Sequence, residues 1–320
     1  MLRFIIRRIL LAFVTLAILL VIITLIPNIA PGDPARKIAG GTASPERLKQ
    51  VTESLGLRDS IATQLWEVTT SVFTFDFGES FSVATGERVT DLVLTSLGNS
   101  AKLVGLSLLV IIPLSILGGL IAAYKKDTWI DRMIVNVGLA FSAIPDFVAG
   151  VFLLAFLAVP FEFFKVQANP PSGASPLTQV QHLMLPVIAV LAVYFGYIAR
   201  ITRAGAINAL DADYTRTAFM RGLTTQAVFR KHVARNALQP TVAVIGTQLG
   251  YLFGGMVALE VVFSYQGVGN LIISAVDGAD YPVLRAGVLT VAVIYMIATL
   301  LADLLVAYMN PRARQSLGEN

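Results

Sequence analysis

The chain has 320 residues, of which 56% are hydrophobic and only 14% are charged, with no cysteine and a formal net charge of +4. A soluble globular domain usually carries about 25% charged residues. The composition therefore argues against a water-soluble enzyme, a disordered chain and a disulfide-rich secreted domain. It indicates a protein that crosses a membrane several times.

Six apolar runs are long enough to form membrane spans, since a helix needs about 20 apolar residues to cross the hydrocarbon core. In chain order these runs are 9–30, 103–124, 133–159, 183–199, 240–259 and 286–309. The third run is interrupted by Asp146 and the last by Asp303. The first run follows three arginines and lacks a small-residue cleavage site, which favours an uncleaved anchor over a cleaved signal peptide.

Six spans place both termini on the same side of the membrane. Most of the lysines and arginines fall on that side, so the positive-inside rule predicts that both termini are cytoplasmic. The predicted organisation is an N-terminal anchor (1–30), an external subdomain (31–100), a transmembrane core (101–310) and a cytoplasmic tail (311–320).

The external subdomain is too long for a bare connection and contains two helix signals. Ser44 and Pro45 precede an apolar face that runs to Gly56, and serine followed by proline is typical of a helix start. A second helix is predicted over 61–73. Two shorter outer segments follow at 161–181 and 264–282, the latter with turn points predicted at its three glycines, Gly267, Gly269 and Gly278.

One inner segment, 204–239, is long and rich in arginine. Its pattern predicts a helix, a turn at Gly222 and a second helix over 227–238, with Pro240 opening the next span. This arrangement favours docking to a soluble partner. The alternative is a basic loop that rests on anionic lipid.

Motifs for catalysis are absent from the sequence. There is no G-x-x-x-x-G-K-[ST] phosphate-binding loop, no H-E-x-x-H and no G-x-S-x-G. His182 and His232 lie on opposite predicted sides of the membrane and cannot share a metal ion. We therefore expect no catalytic residue, no metal or cofactor in this chain and no nucleic-acid partner.

Two intramembrane features stand out. Gly246, Gly250 and Gly254 recur every four residues on one face of the fifth span, which predicts either packing within the subunit or a seam against a second subunit or pathway. Asp146 follows Pro145 inside the third span, where a charge is costly unless it faces a cavity or a partner. It is a candidate pathway acid or, alternatively, a structural acid beside a loosened turn.

Two further acids sit near span ends. Asp303 is expected to pair with a nearby arginine or the backbone. Glu260 closes the fifth span, and we expect it at the outer interface, where a carboxylate costs little.

The stretch 213–223, Asp-Tyr-Thr-Arg-Thr-Ala-Phe-Met-Arg-Gly-Leu, followed by His232 and by Asn236-Ala237-Leu238, resembles the EAA-type cytoplasmic loop of binding-protein-dependent ABC importer permeases. The closest branch is the dipeptide/oligopeptide (DppB/OppB-like) one. The chain departs from the general pattern by having Arg-Thr-Ala at 216–218 in place of Glu-Ala-Ala. Other blocks of the family occur in order, at 31–34, 77–81, 142–145, 260–269 and 280–282.

The resemblance implies a type I ABC importer-like permease of six transmembrane helices with a small helical external subdomain. Such a permease forms half of a pathway in the inner or plasma membrane of a prokaryote. The implied partners are membrane lipid, a homologous second permease, an extracytoplasmic substrate-binding protein and two cytoplasmic ATPase subunits, which bind the ATP and Mg. The implied ATPase-coupling residues are Asp213, Tyr214, Arg216, Thr217, Ala218, Gly222 and Leu223.

The implied cargo is di- or oligopeptides. Nickel, glutathione, opines and oligosaccharides are alternatives within the family. Outside it, the alternatives are a secondary transporter, which predicts inverted repeats, and a membrane scaffold that transports nothing.

Overall fold

A computed structural model describes residues 2–29, 33–40, 43–54, 56, 58–171 and 173–309 as an almost entirely helical molecule. The helices of this described part are α1 (Leu2–Ile29), α2 (Pro34–Ala39), α3 (Pro45–Ser54), α4 (Ile61–Thr74), α5 (Val89–Tyr124), α6 (Trp129–Ser142), α7 (Asp146–Leu153), α8 (Pro176–Leu210), α9 (Asp213–Met220), α10 (Thr225–Val228), α11 (Ala234–Val262), α12 (Val268–Asp277) and α13 (Tyr281–Met309). Single π-helical turns follow α7 and α10. The predicted tail 311–320 lies outside the described residues, as do residues 31 and 32 of the first family block.

Helix length and apolarity support the predicted membrane fold. Among the described helices, α1, α5, α8 and α13 are long and apolar enough to cross a membrane, and six spans result if each of two bent pairs counts as one. One pair is α6 with α7, and the other joins Thr225–Leu252 to Gly254–Val262 with a bend of 55°. The prediction of an all-α membrane protein is confirmed.

The apolar run 133–159 is not one straight helix. α6 and α7 meet at an angle of 100°, and Pro145 occupies the residue before α7 with φ −58° and ψ 143°. Proline has no N–H to donate and disfavours helical geometry in the residue before it. The break therefore follows from Pro145, and it places Asp146 in the first turn of α7.

The predicted outer segment 264–282 contains a helix, and the expectation of turns at all three of its glycines is wrong. Gly269 lies inside α12, where a Cβ would stand 2.5 Å from the Cα of Val257 on α11. Gly269 therefore permits a close helix approach. A glycine in sequence does not reveal which of these two uses it has.

The main core lies between α5, α7, α8 and α11. Small residues bring the helices together: a Cβ on Gly119 would stand 2.5 Å from the carbonyl oxygen of Ala199, and one on Gly196 would collide with the main chain of Gly138. Close approach at glycine is a common means of packing membrane helices, because lipid tails supply no hydrophobic drive for association.

The predicted helices of the outer segment are present as α3 and α4. α4 is joined to the end of α1, where Asn28 Nδ2 donates a hydrogen bond to Gln64 Oε1 at 3.0 Å. A second buried cluster packs α2 and α3 against the beginnings of α5 and α13 and against α12. The division of the chain into domains stays a prediction.

Candidate coupling site and the carboxylate contacts

The predicted coupling segment folds as a short helix followed by a tight turn. α9 begins at Asp213, a favourable position for a carboxylate beside the helix N-terminus. After Met220 the chain reverses at Gly222, whose φ is +79°. A residue with a Cβ is strained in that conformation, so the glycine is required by the turn.

One face of α9 is seated on the rest of the molecule. The Thr215 hydroxyl is fully buried and donates to the Ala209 carbonyl of α8 at 2.6 Å. Ala218 is also buried. The cluster around it consists of Ala123, Ala206, Ala209, Val228, Val233 and Ala237. Ala218 therefore helps to fix α9 on the ends of α5, α8 and α11, and its side chain is turned away from any partner.

The opposite face of α9 is exposed. The other implied coupling residues lie on the surface, namely Asp213, Tyr214, Arg216, Thr217, Gly222 and Leu223. Phe219 and Met220, which sequence reasoning did not assign to the site, are 41% and 86% exposed. Two large apolar side chains at the end of a helix that already has a buried face were the signal available for them.

The coupling segment lies between α8 and α11 in the sequence. These two helices are in close contact near the ends that adjoin it. A Cβ on Gly205 of α8 would stand 2.8 Å from the Ala237 carbonyl oxygen of α11. The buried hydroxyls of Thr202 and Thr241 lie 3.0 Å apart. Direct contacts therefore link α8 to α11, and the Thr215 hydrogen bond links α9 to α8.

A bidentate ion pair holds the turn between α5 and α6 at the same end. Arg203 Nε and Nη2 donate to the two carboxylate oxygens of Asp131 at 2.5 and 2.6 Å. Asp131 also accepts from the Asp127 N–H at 2.9 Å. The sequence gives no hint of this pair, since 72 residues separate its members.

At the opposite end of α5, Glu260 is buried within the protein near the end of α11, so the expectation that a carboxylate costs little there does not hold without the hydrogen bonds that it accepts. It is 2% exposed. Its carboxylate accepts from the Ser100 hydroxyl at 2.6 Å and from the N–H groups of Gly269 and Asn270 at 2.8 and 3.2 Å. The first N–H groups of a helix have no acceptor within it, so Glu260 caps α12 from α11.

Asp280 anchors residues 79–88, which we call the hairpin-like segment because Glu79 and Arg88 pair in an antiparallel bridge. It is fully buried, and its Oδ2 accepts from the Ser80 hydroxyl at 2.6 Å. The same oxygen accepts from three successive N–H groups, those of residues 81, 82 and 83, at 2.9, 2.9 and 3.1 Å. Successive N–H groups aimed at one point form an anion-binding nest, and here the anion belongs to the chain itself.

Tyr265 belongs to the main core and lies near Glu260. Its hydroxyl donates to the Asn99 carbonyl at 2.8 Å. Burial, and then the nearby Glu260 carboxylate, raise the pKa of Tyr265 to about 12. The phenol therefore remains a neutral hydrogen-bond donor at all physiological pH values.

The glycine stripe of α11 is divided between two environments. A Cβ on Gly246 would stand 2.9 Å from Ala302 and one on Gly250 would stand 3.0 Å from Tyr295, both on α13. Gly254 has open space beside it. Packing against α13 therefore accounts for Gly246 and Gly250. A Cβ on Gly254 would contact neither α13 nor any other described helix.

The two acids of the predicted spans differ in their contacts. Asp146 is half-buried, accepts only from the Phe147 N–H at 2.8 Å among the described hydrogen bonds, and lies beside Gly255, where a Cβ would stand 3.6 Å from its Oδ2. Asp303 forms an ion pair with Arg8 of α1 at 2.8 Å. This pair confirms the predicted arginine partner for Asp303.

Comparison with known families settles what kind of protein carries these features. Residues 115–315 match the family model described as binding-protein-dependent transport system inner membrane component. Residues 1–96 match the model of the N-terminal part of such membrane components. The chain belongs to this family.

Individual relatives extend over the whole length. The probable peptide ABC transporter permease protein y4tP of Sinorhizobium fredii is 31% identical over 97% of this chain and 99% of its own. A putative peptide transport system permease protein of Brucella abortus is 31% identical over 97% of this chain and 98% of its own. The glutathione transport system permease protein GsiC of Escherichia coli K12 is 32% identical over 98% of this chain and 99% of its own.

A solved structure, titled as the crystal structure of an amino acid ABC transporter with histidines, covers 70% of this chain and 94% of its own, with 19% identity and a TM-score of 0.49. Family membership makes this chain a multi-pass inner-membrane permease component of an ABC importer. Membership of this family excludes the two alternatives outside it, the secondary transporter and the membrane scaffold.

Proposed function

We propose that this permease imports di- or oligopeptides and forms half of the pathway, with a homologous second permease as the other half. Two cytoplasmic ATPase subunits, which hold the ATP and Mg²⁺, drive it, and an extracytoplasmic binding protein delivers the cargo. The peptide-transport names of y4tP and of the Brucella relative support peptide cargo. The glutathione relative supports it too, because glutathione is itself a tripeptide.

The observation that carries the proposal is the surface of α9. Met220 and Phe219 expose large apolar side chains at the end of a helix whose other face is fixed by Thr215 and Ala218. An apolar patch on a rigid support marks a protein-binding surface. The exposed Arg216 and Arg221 beside it support a cytoplasmic location for this end, and with it for both termini, by the positive-inside rule.

The geometry gives this patch a mechanical role. When the ATPase subunits close on ATP, they displace α9, and the displacement passes to α8 and α11 through the Thr215 and Thr202–Thr241 contacts. The two helices then move as a unit. As a result, the pathway closes to the cytoplasm and opens to the outside. The half-buried Asp146 of α7 and Gly254 of α11, which has open space beside it, line this pathway.

Replacement of Met220 by serine tests the docking surface. We expect Met220→Ser to insert normally, to lose most ATPase subunits on co-purification and to lose ATP-dependent uptake of a labelled tripeptide, since central apolar anchors typically contribute more than 2 kcal/mol to an interface. The matched control is Leu177→Ser, which changes a side chain that is 80% exposed at the start of α8.

The two parts of the proposal fail separately. Normal ATPase recovery with Met220→Ser refutes the docking surface. Uptake of nickel, an opine or an oligosaccharide by the intact complex, with no uptake of peptides, refutes the cargo.

A further inference from the structure

A polar groove lies between the first turns of α5 and α12, at the end of the molecule opposite α9. Its cavity has a volume of about 460 Å³. α5 contributes Asp91, Thr95 and Asn99, and the facing side contributes Gln266, Asn270 and Ser274. The α5 residues are spaced by four and form a row along one helix face, and Asn270 and Ser274 form a shorter row on α12, which Gln266 precedes.

The groove is acidic at one end and basic at the other. Glu87 and Asp91 line its beginning. Asn99 and Gln266 also line an adjoining cavity of about 150 Å³, whose wall includes Lys102. Lys102 follows Asp91 by about three helical turns on the same face of α5, which separates the two positions by about 16 Å at 1.5 Å per residue. The two cavities adjoin at the shared residues Asn99 and Gln266, and we call the pair of adjoining cavities the dipolar groove.

The side chains that give the groove its charge are available for a ligand. Those of Glu87, Asp91 and Lys102 form no hydrogen bond or ion pair with any other part of the chain that the structure describes. The groove's backbone, in contrast, is fixed. Asn99 Nδ2 donates to the Gln266 carbonyl at 2.9 Å, and the Gln266 N–H donates to Asn169 Oδ1 at 3.0 Å. The site is therefore preorganised, which lowers the entropy lost on binding.

These features suit one class of small molecule. An extended peptide spans about 3.3–3.6 Å per residue, so a chain of about four residues carries its terminal ammonium and carboxylate at the separation that the groove presents. The rows of amide and hydroxyl side chains offer donors and acceptors to the peptide bonds between the termini. A metal ion would use only the acidic end, and a neutral oligosaccharide would use neither charged end.

We propose that the dipolar groove binds short zwitterionic peptides, with the ammonium group at Glu87 and Asp91 and the carboxylate at Lys102. This inference rests on the proposed peptide cargo and adds a recognition site within the permease itself. It is distinct from α9 and from the carboxylate contacts of Glu260 and Asp280, which serve to hold its walls in place.

The test uses the complete permease–ATPase complex in lipid nanodiscs without binding protein, titrated with tetra-alanine and with its N-acetylated and C-amidated forms. We expect each modification to weaken binding to the wild-type complex about tenfold, which corresponds to about 1.4 kcal/mol. Because Glu87 remains at this end, Asp91→Asn should reduce the preference for tetra-alanine over its N-acetylated form and leave the preference over the C-amidated form unchanged. Lys102→Gln should abolish the preference for tetra-alanine over its C-amidated form and leave the preference over the N-acetylated form unchanged.

Matched controls change exposed charges elsewhere in the outer segments. Glu162→Gln and Lys37→Gln should retain both preferences. The modified peptides probe the wild-type protein directly, so the result does not depend on how well a variant folds.

Three outcomes overturn the inference: no binding of tetra-alanine, equal binding of all three peptides, or variants that keep both preferences in full. It is also overturned if Asp91→Asn and Lys102→Gln reduce only the stimulation of ATPase activity by the binding protein, which would mark the groove as a protein-docking surface. ATP-driven uptake of tetra-alanine by the wild-type complex with binding protein is measured in parallel. Its loss refutes the proposed cargo, whereas uptake without end-specific binding refutes the groove alone.

Discussion

Replacement of Asp280 by asparagine tests how strongly the hairpin-like segment is anchored. One carboxylate oxygen accepts four hydrogen bonds at 2.6 to 3.1 Å, in a site with no solvent exposure. A hydrogen bond to a charged group contributes about 1.5–3 kcal/mol and a neutral one about 0.5–1.5 kcal/mol. Even if the amide oxygen of asparagine takes the same place, the four bonds together weaken by about 4 kcal/mol.

The assay is thermal unfolding of the purified complex together with limited proteolysis of the segment around Ser80–Val83. Asp280→Asn should lower the unfolding midpoint by several degrees and expose the segment to protease. Asp277→Asn is the matched control, since Asp277 lies three residues earlier and is exposed, and surface changes usually fall within ±0.5 kcal/mol. If the two variants unfold and are cleaved alike, the anchoring role of Asp280 is refuted.

Four other changes have defined outcomes. Gly222→Pro cannot adopt φ +79° and should abolish uptake while membrane insertion is retained; wild-type uptake contradicts this. Ala218→Asp places a charge in a buried cluster and should uncouple ATP hydrolysis from uptake, which parallel assays of both rates would show. Gly196→Ala should lower the yield of folded protein in detergent, whereas Gly98→Ala, with open space around it, should not. Deletion of 44–75 should abolish ligand-stimulated ATPase activity, and stimulation in a folded deletion complex would contradict this.

The helices of this protein were predictable because their signals are local. Apolar runs identify the spans, and the sequence around Ser44 predicts a helix that the structure contains as α3. The short helix before Gly222 was predictable for the same reason, since a glycine that ends a polar helix is a signal within a few residues.

The contacts that hold the helices together were not predictable in this way. Ser80 and Asp280 are 200 residues apart, and Ser100 and Glu260 are 160 residues apart. Nothing in the local sequence distinguishes a buried acid such as Glu260 from an exposed acid at the end of a span. The dipolar groove was missed for a related reason, because Lys102 and Gln266 come together only through the packing of α5 and α12.

The separation of Ser80 from Asp280 also bears on how the protein is made. Ribosomes add about 5–20 residues per second, so the 200 residues between donor and acceptor take about 10–40 s to synthesise. During that interval the hairpin-like segment has already emerged, with its N–H groups still lacking their carboxylate. The outer wall of the permease can therefore be completed only after Asp280, which directly precedes the last helix, has been translated, and chains truncated before Asp280 should be recognisable to proteases by this open segment.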